Sequence, residues 1–125
     1  MSAISAIRAF ATAYINWTAQ TVAADMRRLA ASTVGQARSA MTLAAAGTTG
    51  DYELQRGGIS NRGTVEAVAP LLGRRSQYVV VTLESTSATN TTAYQGLRPA
   101  WHVALATVTE QRAGRWVLSA WQPES

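Results

Sequence analysis

The C-terminal part of this chain has the pattern of a long β-hairpin, and that pattern limits the folds open to the sequence. One predicted strand runs over Trp101–Thr109, a turn follows at Gln111–Gly114, and the chain returns over Arg115–Trp121. A two-stranded hairpin is only marginally stable alone, because water contacts its apolar face. We therefore expect helices elsewhere in the chain to cover that face.

Apolar residues near the N-terminus recur at steps of three and four, as they do along one side of a helix. The apolar stripe comprises Ile4, Ile7, Phe10, Tyr14 and Trp17. The opposite side carries Ser5, Arg8, Thr12 and Asn16. The spacing predicts a helix over residues 3–17, whose aromatic side packs on a sheet.

Two further helices are predicted before residue 50. The second carries Val22, Met26, Leu29 and Ala30 inward, with Asp25 and Arg28 outward. Thr33 and Gln36 have the spacing of a capping box, in which each side chain bonds to the backbone at the other's position. The third helix then passes through Ala37, Met41 and Ala45 and is expected to end before Gly47.

The pattern of the rest of the chain predicts loops and strands. Asp51–Leu54 is expected to be extended, a loop follows at Arg56-Gly-Gly, and a weak strand from Gly63 ends or bulges at Pro70. Residues 77–87 alternate as a firm strand. One face of it carries Val79, Val81 and Leu83, and the other carries Tyr78, Val80, Thr82 and Glu84. Residues 87–92 are predicted to be a polar, mobile loop.

These patterns predict a single α+β domain over residues 1–125. Two or three N-terminal helices pack on a curved antiparallel sheet of about four strands. The chain is 47% hydrophobic and 14% charged, which excludes a disordered chain, and it has no cysteine for a disulfide.

The positive charge consists of 11 arginines and no lysine. Eight of them lie in residues 1–75, scattered rather than clustered. A basic stripe with interleaved aromatic residues would indicate nucleic-acid binding, so we expect no direct nucleic-acid partner. A nucleic-acid-binding module remains a third hypothesis, and it predicts affinity that falls steeply with salt.

No stretch of the sequence is apolar enough to cross a membrane, and no signal peptide is visible. The first helix begins almost at residue 1. We expect any membrane anchor to lie upstream of the chain and to have been removed from it.

Four polar residues are candidate catalytic groups in a pocket on one face of the sheet. His102 is the only histidine, and it could be a general base or simply a packed or interface side chain. Glu84 beside Tyr78 or Tyr14 could form an acid–base pair, but it could equally face solvent. With no second histidine or cysteine, no metal site is expected, and no cofactor motif occurs.

Aromatic and basic residues offer a different kind of site, namely an interaction surface. The candidates are Trp101, Trp121, Arg74 and Arg75. Trp116 and Trp121 are five residues apart, so strict alternation places them on opposite faces of the strand. One of the two would then pack under the helices and the other would be open to a partner.

Four segments give the chain a resemblance to a known group of proteins. They are Tyr14-Ile-Asn-Trp17, Arg62-Gly-Thr-Val-Glu-Ala-Val68, Tyr78-Val-Val-Val81 and Gly114-Arg-Trp-Val-Leu-Ser-Ala-Trp-Gln-Pro123. In these the chain resembles actinobacterial proteins with the cystatin-like, nuclear-transport-factor-2-like cone fold. Within that fold it is similar to the TcpC-type conjugation proteins and to the bitopic assembly factors of type IV secretion systems. The resemblance covers most of the chain.

The resemblance implies a non-catalytic scaffold domain on the outer side of the cytoplasmic membrane, held by an N-terminal transmembrane helix. We expect protein partners and self-association, and no enzymatic activity. Because the wider superfamily includes isomerases, cyclases and small-ligand binders, a small-molecule binder or isomerase-like enzyme is the alternative function.

Overall fold

The computed structural model describes residues 2–90 and 97–124 and has an α+β architecture. Within these residues, four helices pack against a curled antiparallel half-barrel of five strands. The elements in chain order are α1 Ala3–Ile15, β1 Trp17–Thr18, α2 Val22–Ala31, α3 Gly35–Thr49, α4 Tyr52–Gly57, β2 Ile59–Pro70, β3 Gln77–Ala88, β4 Ala100–Arg112 and β5 Arg115–Glu124. The strands lie in sequence order, each antiparallel to the next.

The predicted α+β class and the C-terminal hairpin are confirmed. The strand predicted over residues 77–87 is also present, as β3, and it ends at Ala88. Part of the predicted polar loop therefore belongs to this strand, and residues 91 and 92 of that loop lie outside the described residues. The short β1 brings the number of strands to five rather than about four.

Helix α1 begins where the Ser2 hydroxyl accepts a hydrogen bond from the backbone N–H of Ser5, at 3.0 Å. It ends at Ile15, two residues earlier than predicted, because Trp17 pairs with Asn61 in the sheet. The apolar stripe buries Ile7 and Phe10 as expected, but Ile4 is 38% exposed at the first turn.

The predicted capping box at Thr33 is wrong. The Thr33 hydroxyl donates backward, to the carbonyl oxygens of Leu29 at 2.9 Å and Ala30 at 3.2 Å. Val34 is the N-cap of α3, with no side-chain cap. Gln36 instead accepts a hydrogen bond from the backbone N–H of Trp121, at 2.8 Å.

Two other expectations around residue 50 are also wrong. Helix α3 continues through Gly47 to Thr49, and the hydroxyls of Thr48 and Thr49 donate to carbonyls one turn back. The segment from Asp51 forms the short helix α4 rather than an extended stretch, because the Asp51 carboxylate caps it by accepting from the Leu54 N–H at 3.0 Å.

Residues at the ends of α1 and α3 bond to β2, beyond the part that β1 covers, and to the outer strand β5. On β2, Asn16 both donates to the carbonyl of Gly63 and accepts from its N–H, each at 3.1 Å. On β5, the carbonyl of Leu118 accepts from the N–H of Val34 at 3.0 Å, beside the contact from Gln36. The edges of the sheet therefore have part of their backbone hydrogen-bonding capacity already used.

The core lies between the helices and the concave inner face of the sheet. Phe10 packs on Trp121 with ring centroids 5.0 Å apart, and Tyr14 meets the same indole edge-on at 5.3 Å. Val80 and Ala106 are fully buried at the centre of the inner face. The predicted docking of an aromatic helix face onto the sheet is confirmed for Phe10.

Candidate functional site

A chain of hydrogen-bonded polar side chains crosses the inner face of the sheet at the end of α1. Asn61 is buried on β2, and its amide donates to the Ile15 carbonyl at 2.8 Å and to Glu84 Oε1 at 2.9 Å. The Asn61 carbonyl oxygen accepts from the Thr86 hydroxyl at 2.8 Å. Thr82, also buried, donates to Glu84 Oε2 at 2.6 Å. Each oxygen of Glu84 is thus held by one neutral donor.

Glu84 is half-buried, and no arginine or histidine of the described chain lies within salt-bridge distance of it. A carboxylate has about four acceptor positions, so two remain free after these contacts. The network therefore fixes the orientation of a negative group and leaves it able to accept further hydrogen bonds.

Two cavities have Tyr14 and Glu84 in their walls. The smaller has a volume of about 150 Å³, and its polar lining comes from Tyr14, Thr82, Glu84, His102 and Glu124. Trp121 forms part of its apolar wall. The larger, of about 300 Å³, adds Trp17, Met26 and Asn61 among others. The structure thus brings three of the four predicted catalytic candidates to one small cavity.

Tyr14 and Trp121 form an aromatic wall with polar edges. Burial raises the pKa of the Tyr14 hydroxyl above its ordinary value; the Trp121 indole N–H nearby opposes this rise, and the charge of Glu84 adds to it. The approach of the indole to the hydroxyl falls short of hydrogen-bond geometry, so the buried indole nitrogen has no hydrogen-bond partner among the described residues. Tyr14 is therefore a neutral hydroxyl at physiological pH, beside an unused N–H donor.

The other two catalytic candidates are His102, at the rim of the cavity, and Tyr78, outside its lining. His102 shares the inner face with Ala104, Ala106 and Val108, but the histidine is exposed at the rim of the cavity, opposite Thr82 in the sheet. Tyr78 is six residues from Glu84 along the same strand, a distance of about 20 Å at the ordinary rise per residue. The pairing of Glu84 with Tyr78 is therefore wrong, and only Tyr14 lies beside that carboxylate.

This arrangement can hold a small polar molecule through an oriented carboxylate, a hydroxyl and an indole N–H. No group of three or more histidine, aspartate or glutamate residues that could hold a metal ion occurs in residues 2–90 and 97–124. Within the same residues, no helix is long and apolar enough to cross a membrane.

A second candidate site lies on the outer, convex face of the sheet. The strand register places Leu83 opposite Trp101, Val81 opposite Val103 and Val79 opposite Leu105, all pointing away from the helices. We call these six residues, together with Ala67 and Ala69 on β2, the outer apolar face. Trp101 is 63% exposed and Val103 is 39% exposed.

The predicted interaction residues divide between surface and core. Trp101 lies on the outer apolar face, and Arg74 and Arg75 are exposed in the turn between β2 and β3. Trp121, by contrast, is 3% exposed. Its assignment to an interaction surface is wrong.

The reason is an extra residue in β5. Thr107 pairs with Ala120, but the next residue, Val108, pairs with Leu118, so Ser119 is a bulge and the alternation shifts by one. Trp116 and Trp121 consequently both point inward, against the expectation of opposite faces, and Trp116 packs against the core.

Sequence reasoning missed Asn61 and Thr82, which position Glu84. Asn61 lies in a segment that reads as a loop after Gly57-Gly58, so nothing in the local pattern indicated a buried strand residue. Thr82 was assigned correctly to the face of Glu84, and a threonine two residues from a glutamate on one strand face was the available signal. No protein-family model matches the chain, and no curated protein matches it significantly.

Proposed function

We propose that this protein is a non-catalytic assembly domain that binds a second copy of itself through the outer apolar face. The observation that carries the proposal is the row of six apolar side chains across β3 and β4 on the face away from the helices, in which Trp101 and Val103 are exposed and the other four are half-buried. A row of this kind on the solvent side of a sheet is unusual, because antiparallel sheets normally present polar residues to water on that face.

The composition of the face supports contact with protein. Trp101 supplies a large, rigid aromatic group, the residue type most enriched among those that dominate binding energy. Val81 and Val103 lie side by side next to the Leu83–Trp101 pair. β-Branched and aromatic side chains in this arrangement form a pleated surface that a similar surface can fit.

The edges of the sheet favour association by the face rather than by strand addition. Asn16 occupies hydrogen-bonding groups of β2 at Gly63, and Val34 and Gln36 occupy groups of β5. An added strand would have to compete with these contacts. A face-to-face contact leaves them intact.

A second copy is the occupant that the charge of the chain permits at this face. Two copies each carry a formal charge of +4 and repel one another over most orientations. The six strand residues at the centre of the outer apolar face are uncharged, and Arg62 lies at its border beside Leu83, so a two-fold contact centred on Val103 brings apolar groups together. Such a contact is isologous and stops at a closed dimer.

The wider role follows from the resemblance described above. The fold is compatible with a cone of the cystatin-like or nuclear-transport-factor-2-like type. We propose that the domain serves as an extracytoplasmic scaffold in a conjugative transfer or type IV secretion apparatus, joined to the membrane by a preceding anchor. Its partners there are proteins rather than nucleic acid.

Sedimentation velocity over a range of protein concentrations tests the proposal. The wild-type protein is expected to sediment as a dimer, and Val103→Glu as a monomer, because the substitution places two carboxylates against each other in an apolar contact. Leu43→Glu is the matched control, since Leu43 is 74% exposed on α3, away from the sheet. It should sediment like the wild type.

A wild-type protein that remains monomeric at its highest soluble concentration would contradict self-association. Equal effects of Val103→Glu and Leu43→Glu would contradict the choice of face. Circular dichroism of both variants establishes that they are folded, which is expected because both positions are exposed.

A further inference from the structure

We propose that one end of the sheet docks on a membrane surface that contains anionic lipids. The contact is made by the turn that joins β2 to β3 and the turn that joins β4 to β5. We call residues 71–76 and 110–115 together the basic turn end. It is separate from the outer apolar face and from the cavities beside Tyr14, and the inference does not depend on self-association.

The fold brings together arginines that lie far apart in the sequence. Each of the two turns carries a pair of exposed arginines. They are Arg74, Arg75, Arg112 and Arg115. The turns leave the same end of the sheet, where the backbone N–H of Val108 on β4 donates to the Ser76 carbonyl at 3.0 Å. With Glu110 as its one carboxylate, the basic turn end has a formal charge of +3, whereas the whole chain has +4.

The four guanidinium groups of the basic turn end are free for a partner. In the described part of the chain, none of them forms a salt bridge or a side-chain hydrogen bond. Arginines elsewhere do form such contacts. Arg28 pairs with Asp25 at 3.0 Å, and Arg38 donates to the carbonyl of Ala30 at 3.1 Å.

Two of the free arginines face each other across the hairpin. Arg112 and Arg115 form a cross-strand pair where β4 turns into β5. Like charges directly opposite one another in an antiparallel pair destabilise the sheet. Phosphate groups of a lipid surface would relieve this repulsion, because each guanidinium could bind a phosphate through two N–H groups.

Leu72 favours a membrane over another polyanion. Its side chain is 95% exposed in the β2–β3 turn, two residues from Arg74. At a membrane interface an apolar side chain enters the acyl boundary while neighbouring cations contact the anionic headgroups. Nucleic acid would bind the arginines but not the leucine, and the basic turn end has no aromatic residue on which a base could stack.

Co-sedimentation of the protein with vesicles tests the proposal. One set of vesicles contains phosphatidylcholine alone, and the other contains phosphatidylcholine and phosphatidylglycerol in equal amounts. The wild-type protein is expected to bind the anionic vesicles and not the neutral ones. Binding should weaken as the salt concentration rises, because salt screens the attraction between arginines and headgroups.

Charge variants locate the contact. Arg74→Gln/Arg115→Gln removes one charge from each turn and should lower the affinity for anionic vesicles about 25-fold, since each arginine at such a surface contributes about a factor of five. Arg27→Gln/Arg98→Gln is the matched control, because it removes the same charge from exposed positions toward the other end of the sheet. Its affinity should fall less than about twofold, since charges farther than a Debye length from the membrane are screened.

Leucine variants test the apolar part of the contact. Leu72→Ser should bind anionic vesicles about tenfold more weakly, because it removes the side chain that enters the membrane. Leu43→Ser, at a leucine that is 74% exposed on α3, should bind like the wild type.

Equal binding to neutral and anionic vesicles, or binding to neither, would overturn the proposal. So would equal losses of affinity in the two double arginine variants. Unchanged vesicle affinity in Leu72→Ser would exclude a membrane contact through this turn, and salt-sensitive binding of duplex DNA would then assign the basic turn end to nucleic acid. The comparison of the two kinds of vesicle uses the wild-type protein, so it decides the matter even where a variant fails to fold.

Discussion

At the scale of single residues, two glycines in α3 differ in whether the backbone conformation requires glycine. Gly35 has a φ of 57° and lies against β5, where an added Cβ would stand 3.0 Å from the Ser119 carbonyl oxygen. Gly47 lies in the last turns of the same helix with nothing within 4 Å of an added Cβ. One position needs glycine for backbone conformation and close approach, and the other does not.

Gly35→Ala is therefore expected to lower the free energy of unfolding by about 1–2 kcal/mol, because a Cβ is strained in the left-handed region. Gly47→Ala, the matched control, should raise it by about 0.5–1 kcal/mol through the helix propensity of alanine. Urea denaturation of both variants measures the difference. Destabilisation of equal size at both positions would refute the special role of Gly35.

Tyr14 makes the free energy of unfolding depend on pH in the alkaline range. Its pKa is raised in the folded state, so between the unfolded and folded pKa values the unfolded chain has lost the proton that the folded chain keeps. The stabilising contribution is complete below about pH 10, the ordinary tyrosine value, and is lost as pH rises through the folded pKa.

Tyr14→Phe should therefore flatten the fall of the free energy of unfolding above about pH 10. Tyr52→Phe, at a tyrosine that is 71% exposed on α4, is the comparison variant. Denaturant unfolding at a series of pH values gives both curves. Tyr14→Phe and wild-type curves of the same slope would show that this hydroxyl does not titrate differently on folding.

At the scale of elements, α3 and β5 are held together by backbone-directed contacts. The N–H of Val34 bonds to the Leu118 carbonyl, and Gln36 accepts from the Trp121 N–H. These contacts fix the start of α3 against the last strand. Because the Trp121 amide is hydrogen-bonded to Gln36, we expect it to exchange slowly with solvent.

Gln36→Met should lower the free energy of unfolding by about 1 kcal/mol, because it leaves the Trp121 N–H without its acceptor. Hydrogen exchange read by NMR should show faster exchange at Trp121. Gln20→Met, at an exposed glutamine in the turn before α2, should leave that exchange rate unchanged. An unaltered Trp121 rate in Gln36→Met would mean that the amide is shielded by packing alone.

The elements also show how far local pattern predicts this fold. The three- and four-residue spacing of Ile7 and Phe10 predicted α1, and alternation predicted β3 and the hairpin, since burial of one face imposes these periods. Helix α4 was missed because its six residues are held by one cap, Asp51, rather than by an apolar stripe. Thr33 has capping-box spacing but bonds to the helix before it, which only tertiary structure decides.

The candidate site was predictable in part for the same reason. Alternation put Glu84 and Thr82 on one face, and helical spacing put Tyr14 on the side facing the sheet. The meeting of these residues depends on how α1 crosses the sheet, a property of non-local packing. Asn61, the residue that joins Glu84 to α1, gave no local signal.

At the scale of the whole molecule, the two opposite faces of the sheet differ in chemistry. The inner face carries the cavity and the polar network, and the outer apolar face is free for a second copy. Val103 belongs to the outer apolar face and also lies in the wall of the smaller Tyr14–Glu84 cavity, so the two faces meet at this position of β4.

Dimer formation makes thermal stability depend on concentration. The Tm of the wild-type protein should rise with protein concentration, because association stabilises only the folded state. The Tm of Val103→Glu should not change over the same range. Differential scanning calorimetry measures both, and a wild-type Tm that is independent of concentration would exclude a dimer coupled to folding.

The bulge at Ser119 determines which side chains at the end of β5 face the helices. Because Ser119 is unpaired, Leu118 and Trp121 both face inward although they are three positions apart; if Ser119 paired with Thr107 instead, Ala120 would turn inward and Trp121 outward. The presence of the bulge therefore decides which of these two neighbouring side chains, alanine or tryptophan, enters the core.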